Sequence, residues 1–175
     1  ASRSGNTMGE KLSTEFTLIW NGIVGRKKMS NKVFVSISWK DEFNTGVDEI
    51  DDQHKILLNI LNESATKLSS DNSRSLLLDI TQDLLAYALY HFETEESLMQ
   101  QYQYQKTDDS SMQQHLKEHR GFSQQVVNVR EQLLSDQEID ADKLLNFLYQ
   151  WLINHILKVD KALAKVILAQ RNKAS

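Results

Sequence analysis

His91 and Glu95 lie four residues apart in the stretch Tyr90-His91-Phe92-Glu93-Thr94-Glu95-Glu96-Ser97-Leu98-Met99. On a helix that spacing stacks both side chains on one face, where they can point at a single spot. A neutral imidazole and a carboxylate converging on one spot are ligands for a first-row metal ion. His115 and His119 repeat the spacing with two imidazoles, so one helix can ligate one ion twice. His155 and Asp160 are five apart, about 140° round an ideal helix. They reach one centre only through a local bulge or a sideways reach, and single-turn π-bulges at functional sites do this. A distortion is therefore expected near residues 155–160. His54 is the remaining histidine of the five in the chain.

Four segments with helical periodicity must position these residues. The first, over 50–68, carries Ile50, His54, Leu57, Leu58 and Leu61 on one stripe. The second, over 75–102, carries Leu77, Leu84, Ala88, His91, Glu95 and Leu98. The third, over 111–134, carries His115, His119, Phe122 and Val126. The fourth, over 141–169, carries Leu145, Leu148, Leu152, His155 and Leu163. Polar connections at 69–73, 106–110 and 135–140 separate them, the first with ready N-caps. Four long helices joined by short loops read as an all-α, up-down-up-down four-helix bundle. Each histidine lies in a core-facing stripe, and every helix supplies at least one. Buried imidazoles cost free energy unless their nitrogens are satisfied. A shared metal centre satisfies all five.

The rest of the chain bounds this reading. The 175 residues suggest one domain with a sizeable core, and the absence of Pro with only six Gly permits long helices. A net charge of -4 advertises no nucleic-acid partner. No Cys is present, which excludes thiolate sites and disulfides and fits a reducing, cytoplasmic location. No apolar run approaches the ~20 residues of a membrane span. Residues 1–32 read as a peripheral leader or tag-like segment, although Leu18-Ile19-Trp20-Asn21-Gly22-Ile23-Val24 also carries a hairpin signal. Residues 33–48 read as an extended N-terminal arm lying across the bundle, anchored by Trp39 and Phe43. The bundle is expected over 33–170, with 171–175 as a fraying tail.

The order His54, His91-x-x-x-Glu95, His115-x-x-x-His119, His155-x-x-x-x-Asp160 resembles that of the hemerythrins, bacterial members included. Local contexts agree: Gly46-Val47-x-x-Ile50-Asp51-x-Gln53-His54, His91-Phe92-x-x-Glu95-Glu96-x-x-Met99 and Trp151-Leu152-x-x-His155-Ile156-x-x-x-Asp160. The resemblance covers roughly 33–169 and fills all seven ligand positions. It implies a non-haem centre of two iron ions with an oxo or hydroxo bridge, with Glu95 and Asp160 spanning both irons and O2 bound reversibly. It also implies an apolar pocket for O2 at Leu57, Phe92, Trp151, Leu152 and Ile156. Tyr87, Tyr90, Glu93 and Glu96 match no ligand position and read as packing or solvated residues.

Counting donors sharpens the expectation. Five histidines supply about five bonds. Two bridging carboxylates add about four and a single oxygen bridge about two, against about twelve for two octahedral ions. One position stays open. His115 and His119 belong on one iron, to which the resemblance adds His155. The open position then falls on the iron of His54 and His91.

Rival functions remain at this level. A di-iron oxidase or ferroxidase of the ferritin-like type uses mostly carboxylates and two Glu-x-x-His motifs. Neither motif is present here, and five neutral imidazoles favour reversible binding. A zinc hydrolase would leave the bridging carboxylates unexplained. A sensory input domain cut from a longer signalling protein is the third reading, and rests on family analogy alone. The expectation is an O2 carrier, store or sensor and not an enzyme, with an output domain or protein partner as a possibility.

Overall fold

The computed structural model describes residues 36–174. Those residues form helices α1 (Asp48–Ser70), α2 (Arg74–Gln101), α3 (Tyr104–Leu134), α4 (Ala141–His155) and α5 (Lys161–Ala174). A π-helical segment, Ile156–Asp160, joins α4 to α5 without a break, so the two act as one long fourth helix. The distortion expected from the five-residue spacing of His155 and Asp160 is therefore present at that place.

Apolar residues at helical spacing build two separate core layers. One contains Leu57, Leu61, Ala88, Phe92, Phe122, Leu148, Leu152 and Ile156. The other contains Val47, Ile50, Leu98, Met99, Tyr104, Leu163, Ala164 and Ile167. The order in which each helix visits them gives the topology. Along α1 the chain passes from Ile50 in the second layer through His54 to Leu57 in the first. Along α2 it returns, from Ala88 through His91 and Glu95 to Leu98. α3 runs from Tyr104 through His115 and His119 to Phe122. The fourth helix runs from Leu148 through His155 and Asp160 to Leu163. Alternating direction is the up-down-up-down arrangement, and the polar residues fall on every helix at the level between the layers.

Side-chain oxygens cap the helices where the sequence supplies them. Ser73 Oγ accepts from Leu76 N at 3.3 Å, and Asp140 Oδ1 accepts from Lys143 N at 3.1 Å. The connection expected at 106–110 is corrected. The chain turns earlier, at Tyr102 and Gln103, where Gln103 takes a left-handed φ of 49°. Helical structure then begins at Tyr104 and is interrupted only at Asp108, with φ -157° and ψ 84°. Asp108 caps the next turn: its carboxylate accepts from Ser111 N at 2.9 Å and Ser111 Oγ at 2.6 Å. The main body of the helix thus does start near Ser111, but after a kink and not after a loop.

The N-terminal arm forms neither helix nor strand over 36–40, is extended at Lys40, and ends in a single 3-10 turn, Asp41–Phe43. Phe43 is buried, as expected of an anchor. Trp39 is half-buried, packs edge-on against Phe43 with centroids 5.6 Å apart, and donates from Nε1 to Asn44 Oδ1 at 3.0 Å. A third anchor carries no apolar signal. Asn62 on α1 accepts from Ile37 N at 3.0 Å and donates to Ile37 O at 2.9 Å, while Tyr149 from α4 donates to the same Asn62 oxygen at 2.6 Å. Gly46, nearer α1, has a φ of +85°, and a Cβ there would stand 3.2 Å from Leu168 on α5. Asp51 holds the entry to α1, accepting from Thr45 N, Thr45 Oγ1 and Gly46 N. The leader or hairpin reading of 1–32 lies outside the described residues.

Asn62→Ala removes both backbone bonds to the arm and leaves the Tyr149 hydroxyl without that acceptor. Urea denaturation is expected to show a loss of about 1–3 kcal/mol. A loss below about 0.5 kcal/mol would mean that the arm does not depend on this tie.

Candidate metal centre

All seven sequence-predicted ligand residues meet between the two apolar layers. His54, His91, His115, His119 and His155 are each 2% exposed or less, and Glu95 and Asp160 are 0% exposed. α1 delivers His54, α2 delivers His91 and Glu95 one turn apart, and α3 delivers His115 and His119 one turn apart. The π-helical segment widens the last turn, so that His155 and Asp160 face the same point despite their five-residue spacing.

The distances divide the cluster into two groups. Glu95, His115, His119 and His155 offer one ligand atom each within 4.8 Å of one another, and so do His54, His91, Glu95 and Asp160. Glu95 belongs to both. Asp160 spans them with different oxygens: Oδ1 lies 3.1 Å from His155 Nε2 and 3.3 Å from His115 Nε2, while Oδ2 lies 3.0 Å from His54 Nε2. Glu95 Oε2 lies 3.1 Å from His119 Nε2, 3.2 Å from His115 Nε2 and 3.5 Å from His91 Nε2.

Nε2 of His115 and of His119 hydrogen-bond to Glu95 Oε2, but the rest of the cluster is not satisfied in this way. Nε2 of His54, His91 and His155, Oε1 of Glu95 and both oxygens of Asp160 are buried without a hydrogen-bond partner among the described residues. Six such atoms at one level of a core are costly, since each unpaired buried polar group forfeits its hydration. Imidazole nitrogens and carboxylate oxygens converging this way fit two divalent or trivalent first-row ions.

Outer partners fix the rings. His155 Nδ1 lies 2.9 Å from Glu118 Oε2, and His119 Nδ1 lies 3.3 Å from Glu96 Oε1. A carboxylate only accepts, so both rings donate from Nδ1 and turn Nε2 inward. His91 Nδ1 donates to Gln53 Oε1 at 2.9 Å, and Gln53 Nε2 in turn donates to Thr94 Oγ1 at 3.0 Å. Aromatic faces hold two rings further: Phe92 stacks on His119 at 3.9 Å and Trp151 on His155 at 4.3 Å between centroids. The reading of Glu96 as packing or solvated needs correction, because it holds His119. Glu118 is the residue that sequence reasoning misses altogether. Its signal in the sequence is slight, a carboxylate one residue before His119 on a helix with many polar neighbours. Tyr90 and Glu93 are exposed, and Tyr87 packs edge-on to Tyr90 at 5.7 Å, in keeping with the expectation for them.

A small apolar cavity lies in the first core layer, behind the rings of Phe92 and Trp151 that stack on His119 and His155. Its lining includes Leu57, Phe92, Trp151 and Leu152, together with Leu61, Leu84, Ala88, Phe122 and Leu148. Its volume of about 10 Å³ is at the lower limit for one water-sized molecule. Ile156 is buried in the same apolar layer but does not line the cavity.

The charges balance within the metal-free protein. Burial opposes ionisation of His155, but the Asp160 charge, 3.1 Å away, and the hydrogen bond to Glu118 outweigh it and hold the ring up at about 10. His115 is raised too, burial being outweighed by Glu95 and Asp160. Burial wins at His91, pushed down to about 4, and at His119, also lowered. Burial and mutual repulsion push Glu95 up, yet His91 and His115 hold it well below the carboxylate range. Asp160 is likewise lowered, burial being overcome by His155, His115 and His54.

These shifts set a pH dependence for metal-free protein. His155 is raised above its ordinary value of 6.5, so its stabilisation is complete below about pH 6.5 and is lost as pH rises through about 10. His91 is lowered, so its stabilisation is complete above about pH 6.5 and is lost as pH falls through about 4. The lowered carboxylates add to the acid limb. The urea midpoint of chelator-treated protein is expected to peak near pH 6.5 and fall toward both pH 4 and pH 10. A midpoint that climbs steadily into the alkaline range would contradict these assignments.

Comparison with known proteins agrees with this geometry. Residues 45–167 match the Hemerythrin HHE cation binding domain. The chain is 32% identical over 128 residues to a bacteriohemerythrin of Clostridium acetobutylicum, covering 70% of this chain and 95% of that protein. It is 30% identical over 135 residues to a bacteriohemerythrin of Stenotrophomonas maltophilia, covering 77% of this chain and 84% of that protein. A wild-type hemerythrin crystal structure superposes with a TM-score of 0.66 at 27% identity, over 76% of this chain and 98% of that one. The chain belongs to the hemerythrin family.

Proposed function

We propose that this protein binds O2 reversibly at a non-haem di-iron centre held by His54, His91, Glu95, His115, His119, His155 and Asp160. The observation that carries the reading is the pair of four-ligand groups sharing Glu95, with the two Asp160 oxygens turned to opposite groups. Two iron ions with an oxo or hydroxo bridge, when bound there, supply the electrons and the coordination position that O2 needs.

The residues of the chain do the rest. With Asp160 Oδ1 turned to the three-histidine group and Oδ2 to the other, the first has five donor residues and the His54 and His91 side four, and an added ligand belongs on that side. The cavity of Leu57, Phe92, Trp151 and Leu152 is lined by apolar side chains alone, two of which stack on His119 and His155. Leu152 is one turn before His155 and is 5% exposed. An apolar cover of this kind excludes water and protons, which promote irreversible oxidation of the iron. Five imidazoles against two carboxylates leave little anionic charge for high-valent iron, which supports binding over turnover. We read the protein as an O2 carrier, store or sensor. No helix among the described residues is long and apolar enough to cross a membrane.

Reversibility is the test. Anaerobically loaded diferrous protein, cycled between O2 and argon, is expected to gain and lose its visible charge-transfer band repeatedly. One-way oxidation on first exposure, with no recovery under argon, would overturn the reading. Leu152→Ala is expected to retain iron, lose about 2–5 kcal/mol of stability and oxidise severalfold faster under air. An unchanged oxidation rate at full iron content would remove Leu152 from its role as cover.

A further inference from the structure

The five imidazoles differ in what stands behind them, on the side away from the centre. Behind His155 is Glu118, Oε2 at 2.9 Å, whose other oxygen accepts from Gln114 Nε2 at 2.9 Å. Behind His119 is Glu96, Oε1 at 3.3 Å. Behind His91 is the neutral amide oxygen of Gln53 at 2.9 Å, its orientation fixed by Thr94. Nδ1 of His54 and of His115 has no hydrogen-bond partner among the described residues. Both backing carboxylates therefore serve the three-histidine group, and neither serves His54 or His91.

A carboxylate that accepts from the outer ring N–H draws that proton toward itself and makes the inner nitrogen a stronger electron donor. An amide oxygen forms the same bond without the charge and does so less. Stronger donors favour the more highly charged state of a bound ion. We propose, resting on the di-iron reading above, that Glu118 and Glu96 are positioning residues that rank the two halves of the site, holding the iron of His115, His119 and His155 as the harder one to reduce and leaving the iron of His54 and His91 the easier one. The two carboxylates do not weigh equally. The Glu118 side chain is 18% exposed and is clamped by Gln114. The Glu96 side chain is 44% exposed and lines an open groove between α2 and α3, together with Arg120. Water screens Glu96, so Glu118 carries most of the ranking.

The ranking is read by redox titration of the iron-loaded full chain, with iron content and unfolding midpoint measured beside it. Glu118→Gln keeps an acceptor for His155 but removes the charge. It is expected to change the ferric-to-ferrous affinity ratio of one iron about tenfold, a rise of about 59 mV in the lower of the two midpoints. Glu96→Gln is expected to move the same midpoint in the same direction by less. Gln53→Glu adds the missing charge behind His91 and is expected to lower the higher midpoint. Glu118→Gln and Gln53→Glu then both narrow the gap between the midpoints while moving their mean in opposite directions. A merely structural role would not produce that sign pattern. Fully loaded variants with unmoved potentials, or with both substitutions moving the mean the same way, would overturn the proposal while leaving the di-iron reading intact. A wild-type chain that takes up fewer than two irons would overturn the di-iron reading, and the ranking with it.

Discussion

Seven ionisable side chains occupy one level between two apolar layers of the core, and each is 2% exposed or less. An isolated buried charge costs several kcal/mol, and a buried polar atom with no partner is penalised on its own scale. The bundle answers only part of that cost internally. Raised His115 and His155 offset the ionised Glu95 and Asp160, while His91 and His119 are driven toward neutrality. Most of the ring and carboxylate atoms that face the centre still lack hydrogen bonds among the described residues. A sequence that keeps so much unsatisfied polarity in its interior is built around ions that satisfy it, and the remaining architecture serves to hold these atoms in place.

That service is visible at three levels. Helical periodicity places His91 with Glu95 and His115 with His119 one turn apart on single faces. The π-helical turn Ile156–Asp160 adds the extra residue that brings Asp160 under His155. Two apolar layers, one above and one below, fix the height at which all four helices present these groups. Glu118, Glu96 and Gln53 then set the ring orientations from outside. Association of metal with such a preformed set must displace the proton that His155 holds, so binding and protonation are linked.

Much of this was legible in the residues because the relevant spacings are local. The stripes of α1 to α4 follow from i, i+3 and i, i+4 repeats, and the π-turn follows from a five-residue gap between two groups that had to meet. What was not legible depends on packing between segments distant in the chain. Glu118 and His155 are 37 residues apart, and Gln53 and His91 are 38 apart. A carboxylate or amide on a helix flank is unremarkable until the neighbouring helix is set beside it. Asn62 escaped for the same reason: its role comes from Ile37 and Tyr149 arriving from opposite ends of the chain. The turn at Tyr102 and Gln103 carries neither Gly nor Asn, so the polar run at 106–110 drew the boundary instead. There Asp108 acts as a cap within a kinked helix.

On the proposed reading, Glu95 and Asp160 would each offer donors to both of two ions, which would then form one magnetically coupled centre. Iron content combined with electron paramagnetic resonance of the oxidised protein tests it most directly. The account predicts two irons per chain and no ferric signal that scales with them, because two equal spins coupled through shared bridges cancel. One iron per chain, or an isolated high-spin ferric signal accounting for the bound iron, would contradict it.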